Sequence, residues 1–249
     1  MQFTKSLLLL AALTTGALAR VQGHARRQGS DWTSVPATGA ESTAKFGQVT
    51  NATGSGDTYK GNVGNPYGSN IAEVEASAAS SYKYVVQFQG SNTEDWTVVI
   101  WNKYSSSNED NGWAGKATKT FTLSPGATKY YAFDEDSQGG WAAAAGSSVP
   151  TNNVDGAYSA TWGEFDFGSS ANDKHSGFDV SCIQAQVGKL TVQGMQICSK
   201  YNDNTCSSIT SNMASVDNAY TEATQYVGGI GGNLNPGPVR LAVTLDYSG

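Results

Sequence analysis

Short aromatic and β-branched blocks, bounded by Gly, Ser, Asn and Pro, recur along most of this chain. The runs YKYVVQFQ (82–89) and WTVVIWNKY (96–104) are separated by a polar stretch and predict two antiparallel strands. Residues 119–123 and 128–133 flank Ser124-Pro125-Gly126-Ala127, a turn in which Pro presets φ and Gly takes the strained position. Residues 158–167, 177–185, 190–198 and 239–247 bring the expectation to about eight strands. Only one segment has helical spacing: Val216, Tyr220, Ala223 and Val227, with Ser211 or Asn212 as cap and Gly228-Gly229-Ile230-Gly231-Gly232 as exit. The pattern predicts a mainly β protein, an antiparallel β-sandwich with one short helix near 211–227. Residues 28–58 read as loop-like, and 59–249 as a single β domain.

The first 27 residues stand apart. Lys5, the apolar run from Leu7 to Leu13 and Ala17-Leu18-Ala19 have the three-part pattern of a secretory signal peptide over 1–19. The apolar run is shorter than the roughly 20 residues of a membrane span. Residues 20–27 end in Arg26-Arg27 and read as a basic propeptide, so the mature chain is expected to start at Gln28. Removing the first 27 residues takes away four basic residues and no acidic one, and the 222 remaining residues carry a formal charge of −10. So acidic a chain is expected to bind neither nucleic acid nor anionic membrane. The C-terminus lacks the hydrophobic tail of a glycolipid anchor signal. The product is expected to be secreted and released, with Asn51-Ala52-Thr53 as its glycosylation acceptor.

Scarcity of histidine excludes much chemistry. After the propeptide leaves, only His175 remains, in a polar loop, so a paired-histidine metal site or a His-Glu-x-x-His motif cannot be built. The glycine run at 228–232 lacks the Lys-Ser/Thr of a phosphate loop. Asp134-Glu135-Asp136-Ser137-Gln138-Gly139 resembles the start of a calcium loop, but Ala145 stands where the bidentate Glu belongs; the stretch reads as a solvated acidic turn. Cys198 and Cys206 flank a turn-forming stretch and are expected to form a disulfide in an oxidising compartment. Cys182 alternates with Phe178 and Val180 and is expected to be a buried thiol.

Carboxylates beside aromatics are the remaining chemistry. In TWGEFDF (161–167), alternation puts Phe165 and Phe167 toward the core and Trp162, Glu164 and Asp166 on the other, exposed face. Residues two apart on a strand lie roughly 6.5–7 Å apart, at the lower end of the spacing of inverting glycoside hydrolases. Trp162 would then offer an indole for stacking on a sugar ring, beside Glu164 and Asp166.

The blocks YKGNVG (59–64), GSNI (68–71), WNK (101–103), AFDE (132–135), SQG (137–139), TWGEFDF (161–167), DVS (179–181), VQGM (192–195), Asp217 with AYT (219–221), and PGP (236–238) resemble, in the same order, the Asp f 4-like fungal allergen family. The resemblance implies a fungal extracellular protein with no catalytic activity to carry over. Two cysteines of that family are absent, being replaced by Ser42 and Ala160, and so is a Ser-rich spacer after the propeptide. An acidic strand followed by GFDVS (177–181) also resembles the middle of thaumatin-like proteins, β-sandwiches whose acidic cleft binds β-glucan, although their disulfide framework is missing.

The sequence thus predicts a monomeric, cofactor-free, non-enzymatic protein that engages cell-wall or host glycans through Trp162, Glu164 and Asp166. A β-glucan hydrolase using Glu164 with Asp166 or Asp179 is the second reading. An apoplastic effector that binds a host protein is the third.

Overall fold

The computed structural model describes residues 31–249, so the signal peptide, the propeptide and the Gln28 start lie outside the described residues. In chain order the elements are β1 (Ile71–Val74), α1 (Ala76–Ala79), β2 (Tyr84–Gly90), β3 (Trp96–Asn102), β4 (Lys119–Leu123), β5 (Lys129–Phe133), β6 (Ser137–Ala145), β7 (Trp162–Phe167), β8 (Ser176–Ser181), α2 (Ile183–Val187), β9 (Met195–Ser199), β10 (Cys206–Ile209), β11 (Val216–Asp217), β12 (Gly232–Leu234) and β13 (Val239–Leu245). One sheet runs β1-β5-β2-β13-β9-β10-β11, the other β12-β8-β7-β6-β3-β4. All named pairings are antiparallel except β2 with β13.

Apolar residues alternate along the strands, and the alternation decides how the sheets meet. Val86, Phe88, Leu241 and Val243 from the first sheet join Val98, Ile100, Trp141, Phe165 and Phe167 from the second in one buried core. A second cluster covers part of the outer face of the second sheet, where Val149, Ala157, Tyr158 and Ala160 from the β6–β7 connection pack on Val99, Trp101 and Trp162. A third lies outside the first sheet, where Trp32 and Phe46 pack against Val74, Tyr82 and Val85. The fold is the expected sandwich of two β layers, with the outer face of the first sheet partly covered by the segment before β1 and that of the second by the β6–β7 connection.

Several local expectations are corrected. The runs at 82–89 and 96–104 do not pair with each other: β2 lies between β5 and β13, and β3 between β6 and β4. The polar link between them crosses from sheet to sheet, pinned where Asn92 Nδ2 donates to the carbonyls of Glu94 and Leu123. The Ser124–Ala127 turn likewise joins strands of different sheets. The helix expected near 211–227 is absent. Single 3₁₀ turns at Ser211–Met213 and Glu222–Thr224 flank β11, and Val216 and Val227 are exposed, so the helically spaced residues share no buried face.

Strand β6, SQGGWAAAA, was not predicted, because Gly and Ala are poor strand formers. It is nonetheless in the middle of the second sheet. A Cβ on Gly140 would lie 2.6 Å from Trp101 Cζ2, so glycine is what lets that indole lie across the strand.

Cys198 and Cys206 are cross-strand partners on β9 and β10 and form a disulfide. Cys182 is a fully buried free thiol, and burial pushes its pKa up to about 11. It is expected to stay unlabelled by an aqueous maleimide under native conditions and to react fully in denaturant. Rapid native labelling would show that this packing opens.

Candidate functional site

The second sheet leaves part of its outer face uncovered, and a cleft of about 500 Å³ lies there. Its floor is set by strand register. Trp101 on β3 is opposite Gly140 on β6, Gly140 is opposite Glu164 on β7, and Glu164 is opposite Asp179 on β8. In the neighbouring row Gln138 is opposite Asp166, which is opposite Gly177. A Cβ on Gly177 would meet nothing closer than 3.9 Å, so this glycine leaves open space beside Asp166. Trp113 and Asp110 from the β3–β4 connection, Lys103, and Ile230 from the glycine-rich loop complete the walls.

Three sequence candidates, Glu164, Asp166 and Asp179, therefore meet in one cleft. Trp162 shares their strand face, but it is not the exposed platform that alternation alone predicted. It is 8% exposed, because the β6–β7 connection folds over that end of the strand. Its Nε1 donates to the Tyr158 carbonyl at 2.6 Å, and its ring stands edge-on to Trp101 with centroids 5.0 Å apart. The half-exposed indole of the cleft is Trp113, which sequence reasoning missed. Trp113 lies in a polar loop without strand periodicity, and only the neighbouring Gly112 and Gly115 hint at a constrained loop.

Directly opposite side chains on paired strands have Cβ atoms about 4.5–5.5 Å apart, so Glu164 and Asp179 are in contact. Burial pushes both carboxyls up. The negative charge of Glu164 and hydrogen bonding to it push Asp179 well above the ordinary carboxylate range. Burial also raises Asp166, against hydrogen bonding from the Gln138 amide. Asp166 Oδ1, Asp179 Oδ1 and Gln138 Oε1 are buried without a hydrogen-bond partner. No ion pair among the described residues involves Glu164, Asp166 or Asp179.

These shifts have a sign. A carboxyl raised by folding contributes stability that is complete below its unfolded pKa and is lost as pH climbs through the folded value. Asp179→Asn removes that loss. The melting temperature of the variant is therefore expected to gain on wild type as pH rises above about 4. Parallel curves would show that the pair does not hold its proton.

The acidic turn at Asp134–Asp136 is not solvated as expected. Asp136 is buried and accepts from Tyr59 OH at 2.8 Å and from Ser170 N at 3.0 Å, while Asn62 Nδ2 donates to Asp134 Oδ2 at 2.9 Å. Among the described residues no group of three His, Cys, Asp or Glu is placed to hold a metal ion. His175 lies in the β7–β8 connection with Nδ1 3.1 Å from the Asn172 carbonyl and does not line the cleft. No helix among the described residues is long and apolar enough to cross a membrane.

Fold and cleft together define a class: a mainly β protein of two sheets, with an acidic, tryptophan-walled cleft on the outer face of the smaller one. Residues 69–245 match the Allergen Asp f 4-like domain. Over 218 residues the chain is 50% identical to Allergen Asp f 4 of Aspergillus fumigatus, a match covering 88% of this chain and 67% of that protein. The chain belongs to the Asp f 4-like family of fungal allergens. Among solved structures, the protein elicitor MoHrip2 from Magnaporthe oryzae is similar at 11% identity and a TM-score of 0.39, over 66% of this chain and 99% of that one.

Proposed function

We propose that this allergen-family protein is secreted and binds saccharide in the cleft without turning it over, with cell-wall polysaccharide as the source. The observation that carries the reading is the placement of half-exposed Trp113 and the carboxyls of Glu164, Asp166 and Asp179 on one cleft. An indole face covers the apolar face of a pyranose, and carboxyl oxygens accept from its hydroxyls. The predicted signal peptide and the exposed Asn51 acceptor agree with an extracellular protein.

A hydrolase is the second reading, favoured by one feature: Asp179 faces Glu164 across paired strands with its carboxyl pushed well above the ordinary range, the direction a general acid needs. Two carboxyls hydrogen-bonded to each other leave no room for a glycosidic bond between them. Glu164 and Asp166, two residues apart, keep the larger spacing.

Retention on insoluble wall polysaccharide, with product analysis, tests both readings. Trp113→Ala is expected to weaken retention by about ten-fold, or about 1.4 kcal/mol, through loss of the indole contact. Glu164→Gln keeps size and hydrogen bonding but cannot transfer a proton. Retention unchanged and no product from wild type support binding; turnover that falls by roughly 10²–10⁴-fold in the variant supports hydrolysis. Wild-type protein that neither binds nor cleaves contradicts both.

A further inference from the structure

Resting on the saccharide-binding reading, we infer that the cleft selects a cationic saccharide, an amino sugar with free ammonium groups, over neutral or N-acetylated ones. Several observations carry the inference. The floor presents acceptors: the carboxyls of Glu164, Asp166 and Asp179 and the Gln138 carbonyl, three of whose oxygens are buried without a partner. None of the three carboxylates forms an ion pair among the described residues, and Lys103 acts on Asp166 only as a more distant charge.

Lys103, the cation on the cleft, is already occupied: its Nζ donates to the carbonyls of Asp57 and Tyr59 at 2.7 and 3.3 Å and lies 3.8 Å from Asp110 Oδ2. The groups facing the acid pair are thus acidic or neutral from every strand packed against it: Asp166 on its own strand, Gln138 and Gly140 on β6, Gly177 on β8, and Gly232 on β12.

A metal ion would satisfy the same charge, but the described residues form no group of three ligands for one. A Trp wall asks for more than charge. Trp113 offers an indole face that takes a pyranose ring and that also attracts an ammonium group. The volume of about 500 Å³ suits one or two sugar rings.

Proton balance gives the site a signature. Glu164 and Asp179 face each other across paired strands, and the upward push on both carboxyls favours their sharing one proton and one negative charge. An ammonium group arriving beside it supplies the compensating charge, so the pair releases its proton to solvent and binds as a dianion. A neutral sugar has no such effect.

Calorimetry on the mature chain at about pH 6 tests this, with four tetramers as probes: β-1,4-glucosamine, β-1,4-N-acetylglucosamine, β-1,3-glucose and tetralysine. The glucosamine tetramer is expected to bind at least about ten-fold more tightly than either neutral sugar, with affinity falling as salt is raised. Its heat of binding is expected to vary with the ionisation enthalpy of the buffer, and to stop varying in Asp179→Asn. Asp166→Asn should weaken the amino sugar by about ten-fold and the N-acetylated one by much less, so that the preference between them shrinks. The buffer and salt readouts need only the wild-type protein, so an unstable variant does not block the test.

Equal or tighter binding of a neutral tetramer overturns the inference and leaves the saccharide reading standing. Absence of binding by all three sugars overturns both. Tetralysine binding as tightly as the glucosamine tetramer overturns the inference in favour of a basic peptide.

Discussion

Arg240→Met is expected to lower the melting temperature by roughly 10 °C or more, corresponding to about 3–5 kcal/mol. Arg240 sits on β13 and is 0% exposed. Its guanidinium makes six hydrogen bonds, all to backbone carbonyls: Nε to Trp32 and Ser34, Nη1 to Lys83 and Val239, and Nη2 to Ser34 and Tyr82. None goes to a carboxylate. Burial pulls its pKa down to about 10, yet the group is still charged at neutral pH. Removing the donors while keeping most of the volume leaves these carbonyls buried and unpaired. It also releases the segment carrying Trp32 and Ser34 from the outer face of the first sheet. Limited proteolysis should therefore cut near that segment before the domain unfolds. A variant that melts with wild type would show that water replaces the arginine.

Trp162→Ala is expected to destabilise the fold by about 3–5 kcal/mol, the cost of truncating a buried tryptophan. The sequence alone predicted the reverse, a clean loss of binding from an exposed platform. Denaturant titration decides between them, with Trp113→Ala as the comparison. Trp113 is half-buried against the second cluster, so its truncation should shift the denaturation midpoint less than that of Trp162 while weakening retention on polysaccharide. If Trp162→Ala unfolds like wild type and only Trp162→Ala loses retention, the two indoles have exchanged roles.

The contrast between these tryptophans shows what the chain disclosed before its structure was known. Two-residue alternation placed Glu164 and Asp166 on one face, and strand register then added Asp179 from β8. Alternation could not reveal that the β6–β7 connection folds back over Trp162, because that contact joins residues whose own periodicity is irregular. Trp113, Asp110 and Ile230 come from connections, where neither period applies. Strand β6 was hidden for a different reason. Its glycines are set by the close approach of Trp101, a long-range contact that overrides local propensity. The helix expected near 211–227 failed because its apolar residues have no partner surface to bury against, and Val216 and Val227 stay exposed.

The motif blocks that carried the family resemblance have a structural account of their own. Asn70 Nδ2 donates to the Asn62 carbonyl, to Asn102 Oδ1 and to Ser137 Oγ, and Asn102 Nδ2 returns a bond to Asn70 Oδ1 at 3.0 Å. These residues come from four separate blocks and tie the start of β1 in the first sheet to β3 and β6 in the second. Asn62 extends the network to Asp134, and Tyr59 reaches Asp136. Much of what is recognisable in the sequence is thus sandwich architecture, while the cleft is spread over single residues.

Saccharide binding in the cleft is tested most directly by amide and indole chemical shifts of the protein as a soluble oligosaccharide is titrated in. Shifts concentrated at the Trp113 indole, the Gln138 side-chain amide and the backbone of Glu164, Asp166, Gly177 and Asp179 are the expected result. Saturating shifts confined to another face, with these residues unmoved, would contradict it.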